Sequence, residues 1–266
     1  MPNLTFQNSD FISSRTDLPI IQNVTDVLPS TRFETDSYGH WAFYGDSPLK
    51  DKVNGRLLTL QTGAAISPIF SPQGVTLTNA KGSALLSDLI DSTDTSVTEI
   101  LVAKTTSLGL YLMGASLTNG SKTTENGFGA YAGLDNQDGN KPKIFMNMKP
   151  AIANPNGGFS GLTNGQVIDF TTPFLVAVSV DKAKKTALLY TQKNGVESFI
   201  STIYTGNYDQ SSKKIAVGNA YYDAVESGTR TTFAEAILYN KALGLNQIKA
   251  VAQRCKLRLS TKNIIF

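Results

Sequence analysis

The chain has 266 residues, of which 41% are hydrophobic and 17% are charged, and its formal net charge at pH 7 is +3. This composition excludes a disordered chain and supplies enough apolar side chain for a sizeable core. The net charge is too small to indicate a nucleic-acid-binding protein. Cys255 is the single cysteine, so core packing rather than an internal disulfide has to stabilise the fold.

The sequence carries no recognisable export or membrane signal. Polar and acidic residues follow Met1, without the basic region, apolar run and small-residue cleavage site of a secretory signal. No window approaches the roughly 18 consecutive apolar residues of a transmembrane helix. We therefore expect a protein that is not exported by the Sec route and that does not span a membrane.

Residues 1–39 differ from the rest, with isolated apolar residues between polar ones and prolines at Pro2, Pro19 and Pro29. Neither a strand period nor a helix period persists there. The apolar residues are still too numerous for a solvated tail: Phe6, Phe11, Ile12, Leu18, Ile20, Ile21, Val24, Val27 and Leu28. We interpret this region as an extended arm that docks on another subunit, which predicts a homo-oligomer. A flexible tail is the alternative.

In several later segments apolar residues alternate with other residues, as in half-buried β-strands. Leu108, Leu110 and Leu112 show this period. Further strands are predicted around residues 128–132, 144–148, 174–180, 186–192, 198–204, 214–218 and 231–239. Turn sequences such as Asn194-Gly195 separate these segments. This spacing predicts a β-sandwich or a barrel.

Near the C-terminus the period changes to the three-and-four spacing of an amphipathic helix. The apolar residues at this spacing are Leu245, Ile248, Val251, Ala252, Cys255 and Leu259. A single helix over residues 246–259 is therefore predicted to close the domain.

The segment from Lys241 to Lys262 contains basic residues and no acidic residue. We expect the basic residues of the helix to form its solvent-exposed face, and these are Lys249, Arg254, Lys256 and Arg258. A docking face for an acidic partner is the alternative.

Motifs in the second half of the chain resemble the laminin G-like domains of the concanavalin A-like lectin and glucanase superfamily. The segment 174–181 is followed by Tyr190 and Asn194-Gly195, which is similar to that family's strand ending in Asp and its Tyr…Asn-Gly segment. The segment 233–243 looks like the family's closing strand, which a helix usually follows.

The resemblance covers about residues 40–260 and implies an all-β fold. We expect an antiparallel jelly-roll β-sandwich, concanavalin A-like or laminin G-like, over residues 40–266, with the extended N-terminal arm before it and one C-terminal helix. Gly244 stands where the family often has a Ser helix cap, and Gln247 where it often has Glu. Both departures predict weaker capping of the helix.

No catalytic motif is present. Glycan hydrolases of this superfamily often carry Glu-x-Asp-x-Glu on one strand, where alternation places all three carboxylates on one face. The chain lacks this triplet, and its one acidic pair at that spacing, Glu34 and Asp36, is interpreted as exposed charge. His40 is the single histidine and has no nucleophile-elbow motif to serve, which favours a structural role. No catalytic residue is predicted.

A calcium site is an alternative for the acidic loops, because loop carboxylates bind calcium in some laminin G-like relatives. The candidate oxygen ligands are Asp88, Asp91, Asp94 and the run 135–140. Their spacing fits no calcium-loop template, and Asp138-Gly139 is more simply a hairpin turn. No metal and no cofactor is predicted.

Two loops combine aromatic residues with the polar groups that sugar recognition generally uses. The predicted ligand-binding residues are Tyr221, Tyr222 and Asp223 in one loop and Asn154, Asn156 and Phe159 in the other. The alternative is that these aromatic side chains fold over the edge of the sheet.

Members of this superfamily include lectins, adhesion modules, glycan hydrolases and viral structural proteins, so the fold alone does not select a function. By analogy, the arm, the sandwich and the missing export signal indicate a bacteriophage virion protein, made in the host cytoplasm and placed on the tail or capsid surface. The hypothesis is a non-enzymatic protein whose arm contacts other virion proteins and whose loops bind a host-surface carbohydrate or a neighbouring subunit. The alternatives are a glycan hydrolase with carboxylates from separate strands and a purely architectural virion component.

Overall fold

Strands dominate the residues that a computed structural model describes, which are 32–61, 67–118, 124–150, 161–222 and 229–266. In chain order the strands are β1 (Gly39–Ala42), β2 (Thr59–Leu60), β3 (Ile69–Ser71), β4 (Gly74–Thr78), β5 (Ser83–Ile90), β6 (Val97–Thr105), β7 (Leu110–Gly114), β8 (Leu117–Thr118), β9 (Thr124–Asn126), β10 (Phe128–Asp135), β11 (Lys141–Met148), β12 (Phe174–Asp181), β13 (Thr186–Lys193), β14 (Val196–Ile203), β15 (Lys214–Asn219) and β16 (Arg230–Tyr239). The helix α1 spans Leu245–Ser260.

The strands form two large antiparallel sheets and a short two-stranded one. The eight-stranded sheet has the order β14-β13-β12-β6-β16-β4-β3, with β1 paired to β16 beside β4. The six-stranded sheet has the order β11-β10-β7-β15-β5-β2, and β8 pairs with β9. The predicted antiparallel jelly-roll β-sandwich is therefore confirmed, and the two large sheets do not close into a barrel.

The main core lies between the two large sheets and receives every second side chain of the central strands. In β12, Val176, Val178 and Val180 face this core, while Leu175 and Ala177 face the opposite side of the sheet. Both sets are buried because α1 and the residues after it cover the outer face of the eight-stranded sheet. Burial on both faces explains the almost continuous apolar sequence of β12.

α1 packs on this outer face through the apolar side chains at the three-and-four spacing. Ile248, Val251 and Cys255 are buried there against sheet residues such as Ile237. The predicted helix is confirmed within one residue at each end. At its N-terminus, the Gly244 N–H donates to Gln247 Oε1 at 3.0 Å, so the reciprocal half of a capping box is present without a side-chain cap.

Two predicted hairpin turns are present. Asn194 and Gly195 have φ values of 51° and 77°, which Asn and Gly tolerate better than other residues, and they join β13 to β14. Asp138 and Gly139 lie in the turn that joins β10 to β11. Each turn fixes the register of its own hairpin, β13–β14 in the eight-stranded sheet and β10–β11 in the six-stranded sheet.

The predicted arm lies, up to residue 31, outside the described residues. Thr31–Phe266 forms one compact unit. The segment before β1 is tied to β16, since the Tyr38 N–H donates to Leu238 O at 2.8 Å. The boundary at residues 39 and 40 and the docking role of the arm stay predictions. In the described ranges no helix has the length and apolar character needed to cross a membrane.

Candidate functional site

The loop residues predicted from the sequence were located first. Four of the six lie outside the described part of the chain, namely Asn154, Asn156, Phe159 and Asp223. Tyr222 is 1% exposed, and its ring packs edge-to-face on Tyr111 and Tyr131 at centroid distances of 5.4 and 5.9 Å. The Tyr221 hydroxyl donates to Lys214 O at 2.8 Å. Tyr222 therefore folds onto the sheet, as in the alternative interpretation, and does not present an exposed ring.

Two described residues that adjoin the predicted loops lie near one tyrosine cluster on the six-stranded sheet. Asn147 Nδ2 donates to the Tyr111 hydroxyl at 2.9 Å. Gly161, the first described residue after Pro150, lies against this asparagine, because a Cβ on Gly161 would be 2.1 Å from Asn147 Oδ1. The structure thus brings Gly161 and Tyr222 to one face of the sheet. The ligand role of the six loop residues stays a prediction.

An open groove of about 440 Å³ lies on the outer face of the eight-stranded sheet, between α1 and the edge strand β14. Side chains of β12, β13 and β14 line it on the sheet side, and the segment 242–247, which leads into α1, forms a wall. Its main polar and aromatic residues, which define the Phe199 groove, are Asp181, Lys184, Thr186, Phe199, Ser201 and Gln247. The volume is that of a ligand site, about 300–1,000 Å³.

The aromatic ring of the groove comes from the edge strand. Alternation along β14 turns Ile200 towards the main core and Phe199 away from it. Phe199 is 48% exposed, and Lys249 Nζ lies 5.5 Å from its ring centroid. Glu197 Oε2 holds this ammonium group at 3.0 Å. The ring is therefore an apolar platform beside an ion pair that joins β14 to α1.

Four of the polar side chains that line this groove offer groups to a ligand, namely Asp181, Thr186, Ser201 and Gln247. The hydroxyls of Thr186 and Ser201 form no hydrogen bond within the described ranges. Asp181 Oδ1 accepts from the Lys184 N–H at 2.9 Å, and Oδ2 lies 3.7 Å from Lys184 Nζ. Gln247 uses its carbonyl oxygen for the helix cap, which leaves its NH₂ group available. A carboxylate, two hydroxyls and an amide are the kinds of group that bind sugar hydroxyls.

Reasoning from the sequence missed the Phe199 groove, although one signal was present. Phe199 precedes Ile200 in a predicted strand, and an inward Ile200 requires an outward Phe199 because successive side chains alternate. The approach of Gln247 to this ring depends on how α1 crosses the sheet, and no local pattern encodes that crossing.

The prediction that the basic residues of α1 form a solvent-exposed face is wrong for Arg258, whereas Arg254 keeps 33% of its side chain exposed. Arg254 makes a two-point ion pair with Glu34, with Nε–Oε1 and Nη2–Oε2 distances of 2.8 and 2.6 Å. Arg258 is 5% exposed, and its Nη1 lies 3.5 Å from Glu34 Oε1. Glu34 is itself buried, so its interpretation as exposed charge is also wrong, whereas Asp36 is exposed. Opposite charges from distant segments make this burial tolerable.

His40 lies in the same buried network, in the structural position expected from the sequence. Its Nε2 contacts Glu235 Oε1, and its Nδ1 accepts from the Glu34 N–H at 2.9 Å. Burial raises the pKa of the Glu235 carboxyl, but His40 and Arg258 outweigh burial and hold this pKa below its usual range. Burial also raises the pKa of the Cys255 thiol, which keeps the thiol neutral and unreactive.

Most of the carboxylates that are candidate calcium ligands form ion pairs within the protein, and these are Asp88, Asp91, Asp135 and Asp138. Asp91 is fully buried, and its Oδ1 lies 2.9 Å from Lys182 Nζ. Asp135 and Asp138 share Lys143 Nζ at 2.9 and 2.6 Å. Within the ranges that the structure describes, no group of three or more His, Cys, Asp or Glu residues is arranged to hold a metal ion.

No family model and no curated protein sequence matches the chain. Among solved structures, domain 4 of an extracellular arabinanase from Geobacillus stearothermophilus, determined with arabinotriose, has a TM-score of 0.50 at 19% identity. The match covers 83% of this chain and 100% of that domain.

Other similar structures belong to longer proteins. A Trypanosoma rangeli sialidase in complex with difluorosialic acid has a TM-score of 0.51 at 13% identity, covering 87% of this chain and 34% of the sialidase. The binding domain of Paraclostridial Mosquitocidal Protein 1 has a TM-score of 0.48 at 12% identity, covering 81% of this chain and 51% of that domain. The chain thus spans about a third of the length of the sialidase and about half of the length of the mosquitocidal protein's binding domain. At these identities, the matches to the arabinanase domain and to the sialidase establish a shared β-sandwich fold.

Proposed function

We propose that this protein is a carbohydrate-binding module that holds a glycan in the Phe199 groove. The observation that carries the proposal is an aromatic ring, 48% exposed, in one open groove with hydroxyl groups that lack protein partners in the described ranges. Aromatic rings stack on the apolar faces of sugars, and convergent polar groups bind the sugar hydroxyls. Asp181, Thr186, Ser201 and Gln247 would make these hydrogen bonds.

The structural neighbours support a carbohydrate ligand. The arabinanase domain, which the match covers completely, was determined with arabinotriose, and the sialidase was determined with difluorosialic acid. Both ligands are sugars, although they differ in charge and ring size. The proposal takes from this likeness the class of ligand and leaves the particular sugar to experiment.

Binding without catalysis is the second part of the proposal. Glycoside hydrolysis commonly uses two carboxylates about 5–9.5 Å apart. Asp181 is the single carboxylate among the residues that line the groove, and Lys184 already engages it. We therefore expect no release of reducing ends when the protein is incubated with a polysaccharide panel. A release would favour the alternative of a hydrolase with carboxylates from separate strands.

A bacteriophage virion, at the tail or capsid surface, is the setting that we propose for this activity. There the arm, residues 1–39, would attach the module to other virion proteins, and the Phe199 groove would face a host-surface glycan. A homo-oligomer would present several grooves at once, which raises avidity for a repetitive glycan. In the alternative of a purely architectural component, electron microscopy of the native particle would show the Phe199 groove covered by a neighbouring subunit.

Phe199→Ala is expected to weaken binding of a glycan selected from an oligosaccharide panel by at least about tenfold, because truncation removes the stacking surface at the centre of the site. Isothermal titration calorimetry of both proteins measures this change. Leu134→Ala is the matched control, since Leu134 is 47% exposed on the six-stranded sheet. Equal affinity of Phe199→Ala and wild type for the selected glycan would refute the site assignment.

A further inference from the structure

A second open groove, of about 450 Å³, lies near the C-terminal end of α1. Residues after β1, residues of the edge strand β3 and a lysine after α1 line it. Its main residues, which define the Lys262 groove, are Tyr44, Pro48, Phe70, Ser71, Pro72 and Lys262. It shares no lining residue with the Phe199 groove.

Two aromatic rings are available in the Lys262 groove. Phe70 is 46% exposed and belongs to β3, the edge strand of the eight-stranded sheet in the described ranges. Tyr44 is partly exposed, and burial together with the nearby Glu235 raises the pKa of its hydroxyl, which therefore stays neutral. Pro48 and Pro72 add two further apolar rings to the lining of the groove.

Lys262 has no carboxylate partner among the residues that the structure describes. Its Nζ lies 5.8 Å from the centroid of the Tyr44 ring. Other basic groups of this region differ, since Lys249 pairs with Glu197 and Arg254 pairs with Glu34. Lys262 therefore offers a free cation at the edge of an aromatic groove.

The remaining polar side chain of the groove is already engaged. Ser71 Oγ donates to Gly74 O at 3.2 Å and accepts from the Gln73 N–H at 3.2 Å. A neutral sugar needs several convergent hydrogen-bonding groups, as in the Phe199 groove. Here one cation stands beside apolar rings, and this combination suits a ring-shaped ligand with one negative group.

We infer that the Lys262 groove is a second glycan site, which binds an acidic sugar unit through its carboxylate. The carboxylate would pair with Lys262, and the sugar ring would lie against Phe70 or Tyr44. The two grooves flank opposite ends of α1, whose 16 residues span about 24 Å. The class of ligand rests on the proposed function, whereas the site stands on its own residues.

The test compares tetragalacturonic acid with a neutral galactose tetrasaccharide by isothermal titration calorimetry. We expect Lys262→Gln to weaken binding of the acidic probe at least about tenfold, because a charge-assisted hydrogen bond is lost. Lys256→Gln removes the same charge from α1 outside the groove and should stay within about twofold of wild type. Phe70→Ala should weaken binding of the acidic probe at least about fivefold, because the sugar ring loses its stacking surface.

The results separate this inference from the proposed function. Loss of acidic-probe binding in Phe199→Ala, with Lys262→Gln unchanged, would place the acidic sugar in the Phe199 groove and overturn the inference. Equal weakening by Lys256→Gln and Lys262→Gln would also overturn it, and so would absence of acidic-probe binding to the wild type at millimolar concentration. Failure of the Phe199 groove would appear instead as neutral-glycan binding that Phe199→Ala does not change.

Discussion

Replacement of Arg258 by alanine is expected to lower the free energy of unfolding by about 3–5 kcal/mol. Arg258 Nε and Nη2 lie 2.9 and 2.6 Å from Glu235 Oε1, and both residues are buried. Without the guanidinium group, the Glu235 carboxylate would keep its contact with His40 Nε2 but lose the two-point contact from Arg258. Removing one partner of a buried pair leaves charge that the surroundings do not compensate, and this accounts for the large effect.

Denaturant unfolding at pH 7 measures this loss. Lys256→Ala removes a basic residue of the same helix that is not buried and should change the free energy of unfolding by less than about 0.5 kcal/mol. The double variant Glu235→Gln with Arg258→Met should recover much of the loss, because it leaves no unpaired ion in this position. A loss of less than about 1 kcal/mol in Arg258→Ala would show that the network contributes little to stability.

The same network has a defined dependence on pH. The pKa of Glu235 is lower in the folded protein than its ordinary value. The contribution of the Glu235 carboxylate to stability is therefore complete above the pKa of an unfolded glutamate, about 4.3. It is lost as the pH falls through the lower pKa of the folded protein. The destabilisation by Arg258→Ala should accordingly shrink in strong acid.

Glu99 of β6 is expected to have the opposite effect to Glu235 on the pH dependence of stability. Its contribution to stability should fall as the pH rises. Glu99 stands opposite Val178 and Leu238, which face the main core, and opposite residues of neighbouring strands share a face. It is 2% exposed, and its Oε2 has no hydrogen-bond partner in the described part of the chain. Burial raises the pKa of this carboxyl well above its ordinary value, so the folded protein holds it neutral.

Glu99→Gln is expected to remove this pH dependence. With a raised folded pKa, the stabilising contribution of the glutamate is complete below the unfolded pKa and is lost as the pH rises towards the folded pKa. The wild type should therefore lose stability relative to Glu99→Gln as the pH rises. The difference in the free energy of unfolding between the two proteins should change by about 1.4 kcal/mol per pH unit across this window. Denaturant unfolding at pH 5, 6, 7 and 8 measures the difference, with Glu197→Gln as the exposed control. A difference that is constant with pH would show that Glu99 is not buried in its neutral form.

Local sequence signals predicted the strands from β10 to β16, the strand β7 and the helix α1, but they did not predict β4, β5 and β6. Alternation identified β12 and β13, the Asn194-Gly195 turn fixed their hairpin partner β14, and the three-and-four spacing identified α1 within one residue. These signals succeed because each concerns neighbouring residues, whose faces follow from the strand or helix period. The resemblance to laminin G-like domains then correctly indicated how the strands are arranged in two sheets.

Long-range pairing explains what the sequence did not reveal. Glu34 and Arg254 are 220 positions apart, so a basic helix face looked solvent-exposed although its carboxylate partners come from other elements. Tyr222 looked like a loop aromatic because its packing on Tyr111 depends on a strand far away in the chain. The Phe199 groove likewise needs α1 to cross the sheet beside β14.

The most direct test of the carbohydrate-binding assignment is a chemical-shift titration of the isotope-labelled protein with the neutral oligosaccharide that binds best. The Phe199 groove predicts perturbations that centre on β14 near Phe199 and Ser201 and extend to Thr186 and to Gln247 of α1. The six-stranded sheet should remain unperturbed. Perturbations centred on the Tyr111, Tyr131 and Tyr222 cluster, with none at Phe199, would contradict the assignment and favour the loops predicted from the sequence.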